Sequence, residues 1–150
     1  MAGDYAKRIR ALIAREEPRL RAIAPDTAAA VRTPQKWSRA QVLGHLIDSA
    51  ANNHQRFVRG QLVQSLTMPD YAQDQWVAVQ AYDHEPWSDL IELWVSLNRH
   101  LAHVLERMPA AMLTHTCTIV SSGGEPSTPE PLEYIAEHYL EHLEHHLGQV

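Results

Sequence analysis

Cysteine and phenylalanine each occur once in this 150-residue chain, glycine only six times, and acidic residues outnumber Lys and Arg to leave a net charge of −5. The lone Cys117 excludes an intramolecular disulfide and fits a reducing compartment. The acidic balance, with no Lys/Arg cluster, argues against a nucleic-acid partner, which normally meets a basic face. No run approaches the roughly 18 uninterrupted apolar residues of a membrane span, so no membrane association is expected. The start, Met1-Ala2-Gly3-Asp4-Tyr5-Ala6-Lys7, lacks the apolar core of a signal peptide, and a cytoplasmic protein is expected. Apolar residues make up 45% of the chain, which excludes disorder, and the length suits one domain over 1–150.

What the chain has in abundance is helical periodicity. The first predicted helix runs from about Asp4 to Ala24, carrying Ile9, Leu12, Ile13, Leu20 and Ile23 at helical spacing, with Pro18 expected to kink or split it. The second starts at Ser38, a good N-cap, and reaches about Gln64; the third runs from near Pro86 to about Met108. The fourth begins in the Pro-rich stretch Glu125 to Pro131, with Thr128 as its cap, and continues to the end. A turn around Pro25-Asp26 joins the first pair. Long connections, about Ser65 to Glu85 and Pro109 to Ser127, join the others, and only Thr116 to Val120 reads as a strand. Connections longer than about 12–15 residues tend to be functional. The expected fold class is all-α, a four-helix bundle.

Two helices carry polar patterns that a plain bundle does not need. On the second, Val42, Leu43, Leu46, Ile47, Ala50, Phe57 and Val58 collect as a core face, while His45, Asp48, Ser49, Asn52 and Arg56 share the opposite sector. Such a sector is ordinarily the solvated side. This one contains neither Lys nor Glu, the usual fillers, and its short directional groups suit a lined cavity better. On the fourth, Leu132, Ala136, Leu140, Leu143 and Leu147 form the core face, with His142 and His146 at its edge. Residues four apart stack one turn above the other, so these two imidazoles, and His138 before them, point the same way. Paired helical histidines can close on one ion, and the remaining ligand must come from elsewhere, with His45 the best candidate. Interleaving with Leu distinguishes this tract from an expression tag.

Gly44-His45-Leu46-Ile47-Asp48-Ser49 with Asn52 and Arg56-Phe57 resembles the second-helix motif of the DinB/YfiT-like superfamily. So does His142-Leu143-Glu144-His145-His146 with Gln149, and Tyr71-Ala72-Gln73-Asp74-Gln75-Trp76 is similar to a loop segment of the YfiT-like branch. The resemblance spans about Trp37 to Gln149. It implies a four-helix bundle, often a homodimer, that binds a divalent ion through three histidines, here His45, His142 and His146; His145 matches an intervening histidine that is not a ligand. It further implies a metal-dependent hydrolase or a thiol-dependent S-transferase or isomerase, with Asp48, Ser49, Asn52 and Arg56 lining the pocket.

Three neutral nitrogen ligands leave open positions on the ion, as catalytic sites do. Zinc would lower the pKa of bound water towards about 7, or stabilise a thiolate. Nickel, copper, iron or manganese are alternatives, since imidazole accepts many ions. Asp48 is the candidate to orient or deprotonate the nucleophile, or else the acceptor for an N–H of His45; Arg56 is the candidate anchor for an anionic group on substrate or thiol cofactor. Ser49, Asn52 and Trp76 are candidate substrate contacts, Trp76 as a cover. A non-catalytic metal- or ligand-binding bundle is the competing class. His54 reads as a packed histidine or dimer contact, His100 and His103 as surface residues, His84 and His115 as isolated loop residues. Trp37, Trp87 and Trp94 read as core anchors, and Cys117, flanked by Thr without a base, as unreactive.

Overall fold

In the computed structural model, which describes residues 1–150, α1 spans Ala2–Arg21 and runs unbroken through Pro18. The expected split is absent: Pro18 costs the helix one bond, to the Ala14 carbonyl, while burial of Leu20 and the packing of α1 hold the final turn in place. A short helix, α2 (Pro25–Ala29), takes the place of the expected turn, with Pro25 at its first position. Next comes α3 (Arg39–Leu62). Its N-cap is a reciprocal box: Ser38 Oγ accepts from the Gln41 N–H at 3.2 Å, and Gln41 Oε1 accepts from the Ser38 N–H at 2.9 Å.

The two long connections are structured. The first holds β1 (Ser65–Pro69), α4 (Gln73–Gln80) and a 3₁₀ turn at Tyr82–His84. After α5 (Trp87–Arg107), the second holds a 3₁₀ turn at Ala110–Thr114, β2 (Thr116–Val120) and β3 (Glu130–Pro131). The strand-like run at Thr116 is therefore a strand. It is the centre of a three-stranded sheet, parallel to β1 with Leu66 opposite Cys117, and antiparallel to β3. Alternation puts Leu66, Cys117 and Ile119 against the core.

The last helix, α6 (Leu132–Leu147), starts later than expected and is capped by Pro131, not Thr128. Pairing of β3 with β2 keeps the backbone extended up to Pro131, and Glu130, preceding a proline, is itself biased away from helix. Helices α1, α5, α3 and α6 pack in that cyclic order as a four-helix bundle. Its core takes one face of each helix, with Trp94 and Tyr139 among the fully buried side chains. The Tyr139 hydroxyl donates to Asn98 Oδ1, linking α6 to α5 inside that core. Val58 departs from the expected core face and is 37% exposed, since it lies about 100° round the helix from the fully buried Phe57. No helix is long and apolar enough to cross a membrane.

Candidate metal centre

The first half of α3 is buried on every side, from Val42 through Ala50. Its apolar face meets α5, while α6 and α4 cover the polar face. The polar sector therefore faces other protein groups, and burial obliges its members to find partners.

His45 is fully buried, and His142 and His146, one turn apart on α6, approach it across the α3–α6 contact. One ring nitrogen from each of the three lies within 4.8 Å of the others. The Nε2 atoms of His45 and His142 are 3.0 Å apart. Two imidazoles on one zinc, each at about 2.0–2.1 Å, would hold their nitrogens roughly 3.3 Å apart, close to this pair, and the set spread over up to 4.8 Å would share an ion by drawing in to under about 4.2 Å. Outer contacts orient two of the rings. His146 Nδ1–H donates to Gln149 Oε1 at 2.8 Å, which leaves its Nε2 lone pair free. Ser49 Oγ lies 3.4 Å from His142 Nδ1 and would accept a hydrogen bond from Nδ1–H in the ligand tautomer. Buried His45 Nδ1 has no hydrogen-bond partner, and the ring packs under Trp37 with centroids 4.8 Å apart. Burial, reinforced by the neighbouring His146, lowers the pKa of His45 to about 4. Burial and the surrounding histidines, His146 first, lower that of His142 to about 3. Both are neutral at pH 7, the state a metal ligand requires. All three donors are imidazole nitrogens, a set suited to zinc and the later transition ions.

Asp48 is buried beside this cluster and is not among its donors. Its Oδ1 accepts from the Tyr82 hydroxyl at 2.7 Å and from the Gln80 amide at 2.8 Å; Oδ2 has no partner. Burial raises its pKa, opposed by those two hydrogen bonds. The alternative in which Asp48 accepts from His45 is not realised: its partners lie on the segment formed by the last residue of α4 and the turn beyond it, and His45 Nδ1 bonds to neither carboxylate oxygen. That segment turns at Ala81, in the left-handed region at φ 50°, so that Gln80 and Tyr82 converge on one oxygen. The Tyr82 ring lies on α3 at Gly44, where a Cβ would sit 2.0 Å from the ring.

The other polar positions spread outward along α3. Asn52 Nδ2 donates to the Asp48 carbonyl at 2.8 Å. Arg56, half-buried, reaches Asn53 Oδ1 at 3.4 Å and lies close enough to Tyr71 and Cys117 to favour their ionised forms. Trp76 lies on the outer side of α4, partly exposed and packed on Tyr71 with ring centroids 5.0 Å apart. His138 and His145 are exposed and outside the cluster, as are His100 and His103; half-buried His54 packs on His100. His115 is not isolated: its Nδ1–H donates to the Gly60 carbonyl at 2.7 Å, tying β2 to the end of α3.

Four residues at this centre escaped sequence reasoning as parts of a site. Trp37 covers His45, Gln80 and Tyr82 hold Asp48, and Tyr71 is set beside Ser49 with its pKa pushed up to about 12, mainly by burial. Gly44 inside a helix is a signal that could have pointed to a close approach, though not of which residue. Trp37 just before the N-cap Ser38, with Val42 at the fourth helical position, has the spacing of a hydrophobic staple. An open cleft of about 570 Å³ lies alongside, lined by Arg32, Lys36, Trp37, Val42, Asp74 and Gln149 among others.

Comparison with known proteins gives a consistent picture. The family model described as DinB superfamily matches residues 8–150. The fold is similar to YfiT from Bacillus subtilis, described as a probable metal-dependent hydrolase with an unusual four-helix bundle topology. The TM-score is 0.81 at 16% identity, over 97% of this chain and 81% of that one. It is also similar to a mycothiol-dependent maleylpyruvate isomerase, with a TM-score of 0.74 at 10% identity, over 98% of this chain. The chain spans 59% of that isomerase's length. No curated protein sequence is significantly similar to the chain.

Proposed function

The chain belongs to the DinB superfamily, and we propose that it is a divalent-metal-dependent enzyme in which His45, His142 and His146 hold an ion that activates water or a low-molecular-weight thiol against a small-molecule substrate. The observation that carries this reading is the convergence of three imidazole nitrogens within 4.8 Å, two of their rings oriented by Ser49 and Gln149. An ion held by these three neutral ligands would keep its full charge and would supply Lewis-acid chemistry to a water or thiol beside it. Zinc is the ion proposed, in a cytoplasmic homodimer.

The protein's own groups supply the rest. The buried Asp48 carboxyl, its pKa raised by burial and one oxygen without a partner, is the proposed proton acceptor or orienting group for the nucleophile. Arg56, always charged and bearing a planar fork, is proposed to bind a carboxylate of substrate or thiol cofactor. Ser49, Asn52 and Trp76 are the proposed substrate contacts.

The testing experiment compares turnover of ester, amide and electrophile panels by zinc-loaded, chelated and reloaded protein, with and without added thiol. Activity lost on chelation and restored by metal is expected. Thiol dependence assigns S-transfer, and turnover without thiol assigns hydrolysis. Full metal binding without turnover would make this a binding bundle instead. Arg56→Ala is expected to raise KM more than it lowers kcat, and sedimentation at the 17.0 kDa monomer mass would remove the dimer from the reading.

A further inference from the structure

We infer that Arg32, which touches no imidazole, is a positioning residue for the three-histidine centre, holding His45 and His146 in place through Trp37 and Gln149. This rests on the metal-binding reading above and names residues that it leaves out.

The side chains that support two of the three rings come from segments outside the helices. Trp37 precedes the N-cap of α3, and Gln149 follows the last residue of α6. Chain segments beyond helix ends fray unless tied down. Arg32 ties both. Its Nη1 donates to the Gln149 carbonyl at 2.6 Å, and its Nη2 reaches the Trp37 carbonyl at 3.4 Å. A planar guanidinium can hold two acceptors in fixed relation, which a single ammonium cannot do. No carboxylate forms an ion pair with Arg32, so both ends of its fork serve backbone carbonyls. Two further arginines finish the same segment: Arg19 donates to the Leu147 carbonyl and Arg39 to that of Val150, each at 2.8 Å.

From that anchorage the side chains reach inward. Gln149 Oε1 accepts from His146 Nδ1–H at 2.8 Å, while its amide nitrogen donates to His145 Nε2 at 3.3 Å. The second bond gives the non-ligand His145 a task, since it fixes which end of the Gln149 amide faces His146. Trp37 in turn packs over His45, its ring tilted by 38°. Arg19 and Arg39 hold Leu147 and Val150 on either side of Gln149, but Arg32 alone ties Gln149 to Trp37, so its loss loosens the tautomer of one ring and the packing of another.

The test uses zinc alone as probe, with its affinity for the full chain measured by competition against a chromophoric chelator. Gln149→Ala is expected to weaken binding about 10–100-fold, the usual cost of losing a group bonded to a ligand, and Arg32→Ala, which acts through it, by up to about tenfold. Arg32→Lys should recover only part of this loss, and Arg10→Ala, which breaks a surface pair with Glu106, should have no effect. Because Arg32 acts partly through Gln149, the double variant Arg32→Ala/Gln149→Ala should lose less than the product of the two single losses. Nitrogen-15 spectra of zinc-free protein should show His146 protonated at Nδ1 in the parent chain and mixed tautomers in Arg32→Ala. If Arg32→Ala does not fold, Arg32→Lys and Gln149→Ala carry the same comparison. Parental zinc affinity in folded Arg32→Ala, or fully multiplicative losses in the double variant, would overturn the inference. A parent chain that binds no zinc would instead bring down the metal reading, and this inference with it.

Discussion

His45 Nε2 and His142 Nε2 lie 3.0 Å apart across the contact between α3 and α6, although 97 positions separate them in the sequence. Without an ion, these two neutral nitrogens can satisfy each other only by sharing one proton, in a site that burial closes to protonation. A divalent cation shared by the two rings would replace that bond, so the proposed metal binding is expected to stabilise the fold.

The first prediction follows from that coupling. Zinc at about 100 times its dissociation constant should stabilise the parent protein by about 2.7 kcal/mol, seen as a raised unfolding midpoint that chelator reverses. His45→Ala, His142→Ala and His146→Ala should each abolish the shift and leave less than half the metal in dialysed protein. Retention of the full stoichiometry by all three would exclude this ligand set.

Ser49→Ala should act through His142. Its hydroxyl lies 3.4 Å from His142 Nδ1 and is also in reach of the Asn53 amide at 3.4 Å. A loss of about tenfold in zinc affinity is expected with little change in the unfolding midpoint of the zinc-free protein. Chelator competition and thermal unfolding on the same samples measure both.

Gly44→Ala should be costly for a residue usually replaced with benefit inside a helix. The new Cβ would fall 2.0 Å from the Tyr82 ring, forcing that ring off α3 and its hydroxyl off Asp48. Overpacking of this kind costs about 1–3 kcal/mol, readable as a lower denaturant midpoint at unchanged slope. An equal or higher midpoint would show that the Tyr82 ring is free to move.

Glu16 supplies a pH-dependent test away from the metal. Burial pushes its carboxyl up, but hydrogen bonds from Arg15 at 2.7 Å and Arg19 at 2.6 Å outweigh this and leave its pKa below the usual value. A depressed carboxyl stabilises the fold above the unfolded-chain pKa of about 4.3, and that contribution fades as pH falls through the lower folded value. Glu16→Gln should therefore cost about 1–2 kcal/mol at pH 7 and progressively less as pH drops below about 4. A cost that stays constant between pH 7 and pH 3 would contradict this assignment.

Local pattern was enough for the bundle and for the candidate ligands. The 3.6-residue period places Leu140, Leu143 and Leu147 on one side of α6 and His142 and His146 at its edge, whatever the helix later meets. Ser38 and Gln41 write the start of α3 in three residues' spacing, and the absence of Lys and Glu from the sector of His45, Asp48 and Ser49 marked it as a face that water does not solvate. Pairings between distant segments were not legible in this way. Strand β1 becomes a strand only because β2 lies parallel to it, and α4 was hidden because its eight residues bury little beyond Val77 and show no marked amphipathic stripe. The partners of Asp48 at Gln80 and Tyr82, the Trp37 ring over His45 and the Arg32 fork between Trp37 and Gln149 depend on the same long-range packing. Sequence determined which side His142 and His146 face, because a helix carries its own periodicity, whereas His138, one turn earlier, lies beyond the reach of α3 and stays exposed. Tertiary structure decided which groups meet there, because hydrogen bonds and stacking act over a few ångströms between residues that the chain itself holds far apart.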